Sequence, residues 1–314
     1  MEELKKRIKV ILETDNGDDI DDLFTIYAML GDKDAEVVGI VSTYLNTPLR
    51  ARQVRHVLEL ANRKDIPVFA GCGYTLGGYH DRPTNLKYCQ YSEILDSPKY
   101  YSNEDKDTGI AAISFLIESA KRYKDELYIC EIGPQCTLAR AIKKDRDAFK
   151  NTHIHIMGGS FFKKESEWNI ECDVESAKIV LQSGLNLNYC SLDVTRLSMM
   201  LKEDYDRFIL INKDEYINYL IESTKLWYKS ANRIPTLHDP LTYISMHNDV
   251  VNYQRVKVRM SVDEEHHKVY FDVVDDSCLD KDVYTVNVSK TIKDNKFFEI
   301  IYELIGIKKE VSGG

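Results

Sequence analysis

Short apolar runs alternate with amphipathic segments through the first two-thirds of this chain, and this alternation restricts the fold more than any other feature. The runs IKVILET, EVVGIVST, PVFAG, LYICEIG, HIHIMGG and LNYCSLDV are rich in β-branched residues and end at polar or glycine-containing turns, as buried strands do. The segments between them are DDLFTIYAML, TPLRARQVRHVLELANRK, IAAISFLIESAKRYK, CTLARAIKK and VESAKIVLQSG, and each repeats apolar residues at helical intervals. The pattern predicts an α/β fold with a Rossmann-like, open and mainly parallel central sheet flanked by helices.

The last third of the chain has a different pattern. Residues 196–235 form a more polar, helical subregion, VNYQRVKVRMSVDEEHHKVYFDVV predicts late C-terminal strands, and FFEIIYELI predicts a final helix. No Gly/Ser linker, low-complexity tract or internal repeat divides the sequence. We therefore expect residues 1–314 to form a single α/β domain.

Composition excludes several classes of partner. The net charge of −9 and the pI near 5.5 disfavour an extended nucleic-acid surface, which needs clustered Lys and Arg. The N-terminus lacks a signal-peptide apolar region and the apolar runs are too short to span a bilayer, so we expect a soluble, cytoplasmic protein that binds no membrane. The seven cysteines are scattered and never spaced as CxxC, so we expect them to be reduced rather than paired or zinc-bound.

Polar residues and glycines follow the predicted strands. An acidic turn follows IKVILET, Asn46 follows EVVGIVSTYL, Gly133-Pro134 follows LYICEI, and Met157-Gly158-Gly159 follows HIHI. Parallel sheets bind ligands in the crevice at the carboxyl ends of their strands, where strand order reverses. One crevice is thus expected to collect residues that are far apart in sequence.

The acidic turn holds five aspartates within TDNGDDIDD, namely Asp15, Asp18, Asp19, Asp21 and Asp22. A helix N-terminus favours one or two carboxylates, but five neighbouring ones must protonate, repel or share a cation. Because the cluster offers only oxygen ligands, it favours calcium or magnesium over zinc. The turn is not an EF-hand, since Gly17, Ile20 and Ile26 occupy its third, sixth and twelfth positions. A solvated acidic turn is the alternative interpretation of this segment.

Two downstream motifs add polar groups that suit a sugar-binding site. In LHDPL, His238 and Asp239 precede a proline; His238 taken alone also fits a structural histidine with an ordinary hydrogen bond. In ESEWNIECDVESA, Glu167 and Asn169 flank Trp168, so on an extended stretch both polar side chains would share one face and the indole would face the other. Such a polar face suits recognition of vicinal hydroxyls.

At this point the chain resembles the inosine-uridine-preferring nucleoside hydrolases. The likeness rests on the order and spacing of ETDNGDDIDD, YLNTP, IPVFAG, IGPQCTLA, MGG, EWNIECDVESA, LDVT and HDPL, which span nearly the whole chain. The resemblance implies a glycosidase that hydrolyses the N-glycosidic bond of ribonucleosides to free base and ribose. It also implies a homo-oligomer, either a dimer or a tetramer.

The resemblance implies one calcium ion that binds a water and the 2′- and 3′-hydroxyls of ribose. Asp15 would be the general base that takes a proton from this water, and His238, which can hold a proton near neutral pH, is the candidate general acid for the departing base. In this family the identity of the acid varies with the base. The implied calcium ligands are Asp15, Asp22, the backbone carbonyl of Ile132, and Asp239. The implied sugar-binding residues are Asp21, Asn46, Glu167 and Asn169, with Met157 beneath the ring.

The acidic turn is longer than the family's simplest form, because Asp18, Asp19 and Ile20 separate Gly17 from the paired aspartates. Alignment by the helix that follows assigns the pair to Asp21 and Asp22. A competing alignment makes Asp19 a metal ligand or a sugar contact, and both alignments remain open.

Aromatic residues are candidates for contacts to the nucleobase, each with a purely structural alternative, and His80 is a candidate second proton donor. These candidates are Tyr74, Tyr79, His80, Tyr88, and Trp227 or Tyr228. The rival function is a ribose-binding relative without catalysis. A magnesium phosphatase with a DxD nucleophile is disfavoured, because Gly17 stands where its second aspartate belongs.

Overall fold

The computed structural model describes residues 7–78, 90, 97–100, 102–103, 109–293 and 296–307. Nine strands of these residues form one sheet. In chain order they are β1 (Ile8–Thr14), β2 (Ala35–Ser42), β3 (Val68–Ala70), β4 (Leu127–Glu131), β5 (His153–Met157), β6 (Leu187–Cys190), β7 (Val251–Asp263), β8 (Lys268–Val274) and β9 (Val283–Ile292). Their spatial order is β3-β2-β1-β4-β5-β6-β9-β7-β8.

Helices connect the strands and cover both faces of the sheet. They are α1 (Asp21–Gly31), α2 (Thr47–Leu60), α3 (Ile110–Tyr123), α4 (Cys136–Lys144), α5 (Trp168–Cys172), α6 (Val174–Gln182), α7 (Leu192–Thr195), α8 (Lys202–Phe208), α9 (Glu215–Ala231), α10 (His238–Ser245) and α11 (Lys296–Leu304). None of the helices in the described ranges is both long enough and apolar enough to cross a membrane.

Strand order reverses beside β1, because β2 and β3 lie on one side of it and β4, β5 and β6 on the other. The pairs from β3 across to β9 are parallel, so the carboxyl ends of these strands share one edge of the sheet. Strands β1 and β4 place Glu13 opposite Glu131, and Asp15 and Ile132 follow directly at the edge. Open sheets of this kind bind ligands at such a reversal.

The core has two apolar layers, one on each face of the sheet. Successive residues of β1 alternate between them: Val10 and Leu12 pack in one layer with residues of α1, α2, α9 and α10, and Ile11 packs in the other with residues of α3, α4 and α6. This alternation follows from the two-residue repeat of a strand. Because both faces are covered, the central strands read as continuous apolar runs.

The observed α/β fold confirms the predicted class, and every strand and helix predicted in the first two-thirds is present. The segment LNYCSLDV is a strand only over Leu187–Cys190, and its end forms the short helix α7 as the chain leaves the sheet. The late strands are antiparallel: β7 pairs with both β8 and β9. Strand β9 was not predicted, although VYTVNV alternates as a strand does, and it joins this hairpin to the parallel part beside β6.

Candidate active site

A pocket of about 570 Å³ lies at the carboxyl edge of the sheet, next to the reversal of strand order. Residues that follow β1 and β4, the end of β5, and the N-terminal turns of α1, α5 and α10 all line it. The lining residues are Asp15, Asp18, Asp19, Asp21, Asp22, Ile132, Met157, Ser166, Glu167, Trp168, Asn169, Leu192, Trp227, Arg233, His238 and Asp239. Its size is within the range of small-molecule sites.

Three carboxylates meet at the floor of this pocket. Asp21 and Asp22 begin α1, and Asp239 lies in the first turn of α10. The three residues are 3%, 3% and 5% exposed, and one oxygen from each lies within 4.8 Å of the others. In the part of the chain that the structure describes, this is the one such group of three suited to hold a metal ion. Its all-oxygen donors match a hard divalent cation.

Burial raises the pKa of each of these three carboxyls well above its usual range, and the charges of neighbouring aspartates raise it further. Two hydrogen bonds act in the opposite direction: Thr14 Oγ1 donates to Asp22 Oδ1 at 2.6 Å, and the backbone N–H of Asp239 donates to Asp21 Oδ2 at 3.3 Å. Thr14 is the last residue of β1, and Asp239 lies in the first turn of α10. The cluster therefore either retains protons or takes up a cation.

Asp15 lies beside the cluster but is not one of the three residues within 4.8 Å of one another. Burial raises the pKa of Asp15 to about 7, against the attraction of Arg50. Gly133 makes room for its carboxylate, because a Cβ built on Gly133 would lie 2.8 Å from Asp15 Oδ1. A side chain at position 133 would thus displace Asp15.

The two additional aspartates of the lengthened turn each bind an arginine. Arg50, which is fully buried, donates to Asp18 Oδ2 at 2.6 Å and also to the backbone carbonyls of Asp15 and Asn16. Arg233 donates to Asp19 Oδ2 at 3.0 Å and lies over the Trp227 ring at 5.2 Å. Five carboxylates can therefore share one turn, because two of them have cationic partners from the protein itself.

Glu167 and Asn169 line the same pocket as the cluster. Glu167 caps α5, and its carboxylate accepts hydrogen bonds from the backbone N–H groups of Asn169 (2.9 Å), Gly159 (3.2 Å) and Ile170 (3.2 Å). Burial nevertheless raises the pKa of Glu167 to about 7. Asn169 Nδ2 donates to the carbonyls of Ile132 (3.1 Å) and Met157 (3.3 Å). These bonds fix both side chains and leave Asn169 Oδ1 as its remaining acceptor.

The expected extended geometry of this motif was wrong. Glu167 has extended backbone angles, but Trp168 and Asn169 lie in the first turn of α5. Because helical neighbours do not point to opposite faces as strand neighbours do, Trp168 lines the pocket together with Glu167 and Asn169.

His238 lies at the N-terminus of α10, with its Nδ1 atom 2.8 Å from Thr195 Oγ1. Burial lowers the pKa of His238 to about 4, and the positive charges of Arg233 and Arg196 contribute. This differs from the expectation that His238 holds a proton near neutral pH.

The structure does not bring every predicted residue to the pocket. Asn46 is exposed and is absent from the lining; its side chain caps α2 by accepting a hydrogen bond from the backbone N–H of Leu49 at 3.3 Å. Tyr74 and Tyr228 are also absent from the lining, whereas Trp227 is part of it. Tyr79, His80 and Tyr88 lie outside the described residues.

The sequence analysis assigned no role to Arg233, Ser166 or Leu192, which also line the pocket. Arg233 stands only five positions before His238, in RIPTLHDPL, and this proximity was the available signal. Nothing in the local sequence links it to Asp19.

Comparison with known proteins gives one consistent family. The family model described as inosine-uridine preferring nucleoside hydrolase matches residues 10–299. Probable uridine nucleosidase 2 of Arabidopsis thaliana is 30% identical, over 76% of this chain and 77% of that protein. The pyrimidine-specific ribonucleoside hydrolase RihA of Enterobacter sp. (strain 638) is 28% identical, over 75% of this chain and 77% of that protein.

Solved structures share the fold. A plant nucleoside hydrolase, PpNRh1, aligns with a TM-score of 0.79 and 24% identity, over 95% of this chain and 98% of its own. A purine-preferring ribonucleoside hydrolase from Gardnerella vaginalis aligns with a TM-score of 0.78 and 24% identity, also over 95% and 98%. At these identities the likeness is one of fold.

The two arginine–aspartate pairs are expected to differ in their effect on stability. Arg50→Met should lower the free energy of unfolding by about 1–3 kcal/mol, because it leaves the backbone carbonyls of Asp15 and Asn16 without their buried donor, whereas Asp18 is 38% exposed and stays partly solvated. Arg233→Met should cost less than about 1 kcal/mol, because that side chain is 54% exposed. Urea unfolding of both variants measures the difference, and equal losses would contradict the assignment of Arg50 as the residue that stabilises the turn.

The raised carboxyl pKa values predict how cation binding depends on pH. Folded carboxyls with raised pKa values hold protons more tightly than unfolded ones, so with chelator present their contribution to stability falls as pH rises from about 4. This loss of stability continues up to the folded-state pKa of each group, which is about 7 for Asp15 and Glu167 and about 8 for Glu13. Added Ca²⁺ should therefore stabilise the protein more at pH 7.5 than at pH 5, as measured by unfolding with Ca²⁺ or chelator. A calcium effect that is equal at both pH values, or unchanged in Asp239→Asn, would contradict this prediction.

Proposed function

This chain belongs to the inosine-uridine preferring nucleoside hydrolase family, and from that premise we propose that it hydrolyses the N-glycosidic bond of ribonucleosides to free base and ribose. One observation carries the proposal: a single pocket is lined by the buried Asp21–Asp22–Asp239 cluster, by Asp15, and by Glu167 and Asn169. This combination supplies a cation site, a general base and sugar-binding groups in one pocket.

The cation of the proposal is Ca²⁺. Its ligands are Asp15, Asp22, Asp239 and the carbonyl of Ile132, and Asp21 either binds a ribose hydroxyl or joins the ligands. Two observations support this ligand set. Asp22 and Asp239 belong to the buried cluster. Ile132 lines the same pocket, and its carbonyl oxygen uses one of its two lone pairs to accept a hydrogen bond from Asn169. When bound, the ion would hold the ribose hydroxyls and lower the pKa of a coordinated water.

Asp15 is the general base that accepts a proton from the attacking water. Without a cation, burial raises the pKa of Asp15 to about 7, and a bound Ca²⁺ would lower it and so keep the carboxylate in the ionised form that a general base requires. Gly133 and the Arg50 contact to its backbone hold the carboxylate in place. Asp15 thus acts as the water attacks the anomeric carbon.

Glu167 and Asn169 bind sugar hydroxyls. The bonds that Glu167 and Asn169 make to the backbone orient them before substrate arrives. Cleavage makes the sugar positive at its anomeric carbon and ring oxygen, and preorganised acceptors stabilise charge of that sign. The acidic character of the pocket therefore favours the transition state.

His238 is the proposed proton donor to the departing base. With Nδ1 next to Thr195, its Nε2 is the nitrogen left for the substrate. The lowered pKa leaves His238 mostly neutral near pH 7, so the donor of this proposal is the minor imidazolium form, a strong acid that gives up its proton readily as the base develops negative charge.

The test of the proposed function is release of ribose from inosine, uridine, cytidine and adenosine, with Ca²⁺ or with chelator. We expect hydrolysis of at least one nucleoside and its loss in chelator. Asp15→Asn should lower kcat by roughly 100- to 10,000-fold, because it removes the general base. Asp206→Asn changes an exposed carboxylate on α8 and should leave kcat unchanged. Nucleoside binding without release of ribose would favour the rival function, a ribose-binding relative without catalysis. Full activity of Asp15→Asn would show that Asp15 is not the general base.

The role of His238 can be separated from that of Asp15 by changing the leaving group. 4-Nitrophenyl β-D-ribofuranoside has a leaving group that departs without protonation, so His238→Gln should leave its hydrolysis nearly unchanged. On a nucleoside that the protein hydrolyses, His238→Gln should lower kcat by roughly 100- to 10,000-fold. Asp15→Asn should reduce both reactions. Equal loss on both substrates in His238→Gln would contradict the proposed proton donor.

A further inference from the structure

Helices α1 and α10 lie side by side and touch at both of their ends. At the N-terminal ends, the backbone N–H of Asp239 donates to Asp21 Oδ2 at 3.3 Å. At the C-terminal ends, Tyr243 and His247 both contact the carboxylate of Asp32, which caps α1. The two helices therefore run parallel, with their positive dipole ends at the carboxylate cluster.

The contacts at the C-terminal ends are short and nearly dry. Asp32 Oδ2 accepts from Tyr243 Oη at 2.8 Å and lies 2.7 Å from His247 Nε2, while Asp32 Oδ1 accepts from the backbone N–H of Asp34 at 2.8 Å. The Asp32 and His247 side chains are 6% and 7% exposed, and Tyr243 is fully buried. Both carboxylate oxygens of Asp32 are thus hydrogen-bonded within the protein.

A carboxylate at this place needs a specific partner. The C-terminal end of a helix carries partial negative charge, so Asp32 is unfavourable to α1, which has no basic residue in its last turn. His247 follows α10, where a donor or positive charge is favourable. Bonds to His247 and Tyr243 lower the pKa of Asp32 although burial opposes this. The unfavourable effect of Asp32 on α1 is therefore offset mainly through α10, with the backbone N–H of Asp34 contributing.

We propose that Asp32, Tyr243 and His247 are positioning residues that fix the axial register of α1 against α10, and that they thereby set the cation affinity of Asp21, Asp22 and Asp239. We name this group the C-terminal clamp. The inference rests on the proposed function, which places a cation at the cluster.

The geometry explains why register matters there. At about 1.5 Å per residue, Asp32 lies roughly 15–17 Å along α1 from the cluster, and Tyr243 and His247 lie roughly 6 and 12 Å along the chain of α10 from Asp239. Calcium–oxygen distances vary only within about 2.3–2.6 Å, so sliding one helix by a single residue rise would take Asp239 out of reach of a cation on Asp22. When ionised, the carboxylates of Asp21 and Asp22 on α1 repel that of Asp239 on α10, which favours separation of the N-terminal ends. The clamp opposes that displacement from the far end.

A matched pair of tyrosine variants tests the proposal. Tyr243→Phe removes the hydroxyl that joins α10 to α1. Tyr27→Phe removes another tyrosine hydroxyl bond of α1, a 2.6 Å donation to the Tyr216 carbonyl of α9. Calorimetric titration with Ca²⁺ should show an affinity lowered roughly 2- to 30-fold in Tyr243→Phe and unchanged in Tyr27→Phe. Urea unfolding in chelator shows whether both variants are folded and comparably destabilised.

A second pair of variants, both at His247, keeps or removes the contact of this side chain with Asp32. The amide of His247→Gln can still donate to Asp32 and should retain calcium affinity, whereas His247→Ala should lose it to a similar degree as Tyr243→Phe. In both weakened variants, excess Ca²⁺ should restore the wild-type kcat, because the catalytic groups are intact.

The outcomes separate the two proposals. Equal calcium affinity in Tyr243→Phe, Tyr27→Phe and the unsubstituted protein would overturn the clamp while leaving the proposed metal site in place. Equal weakening by Tyr243→Phe and Tyr27→Phe would also overturn it, since any loss on α1 would then suffice. Absence of calcium binding by the unsubstituted protein would overturn the metal site itself, and the clamp with it.

Discussion

Carboxylates that lie at two helix N-termini, away from water, repel one another, and this repulsion governs how the site is built. Asp21, Asp22 and Asp239 are almost fully buried, and one oxygen from each lies within 4.8 Å of the others. Burying such charges is costly unless they are neutralised. The dipoles of α1 and α10 and the Thr14 hydroxyl supply part of the compensation. The remainder must come from protons or a bound cation, and for that reason the pocket suits a metal.

The protein limits this repulsion by separating its aspartates into two sets. Asp18 and Asp19, which lie at the solvent side of the turn, bind Arg50 and Arg233. The cluster at the pocket floor has no such side-chain partner among the described residues, although Arg50 favours the charged form of Asp22 from nearby. The buried arginine also holds the backbone of the turn. The same turn can therefore be rigid and still present uncompensated charge to a ligand.

Much of the fold was predictable because it depends on local patterns. Strands β1 to β6 and the helices between them follow from short apolar runs and helical spacing, and the parallel arrangement follows from their alternation. Strand β9 was missed because no crossover helix separates it from β7 and β8, and its parallel pairing with β6 is non-local. The helix at Trp168 was missed because three polar or aromatic residues fit either period, and the backbone bonds accepted by Glu167 decide between them.

The fold class, the edge of the sheet that carries the site, and the oxygen-rich chemistry of that site could be predicted from the amino-acid sequence, because they depend on local patterns and on their order along the chain. Which carboxylates meet depends on tertiary packing. Asp21 joins Asp239 across 218 positions, Arg233 reaches Asp19 across 214, and Arg50 reaches Asp18 across 32. Tertiary packing also makes Asn46 the cap of α2 and, by burial, lowers the pKa of His238. Such outcomes depend on how separate elements pack, and burial and distance between them are not encoded in local spacing.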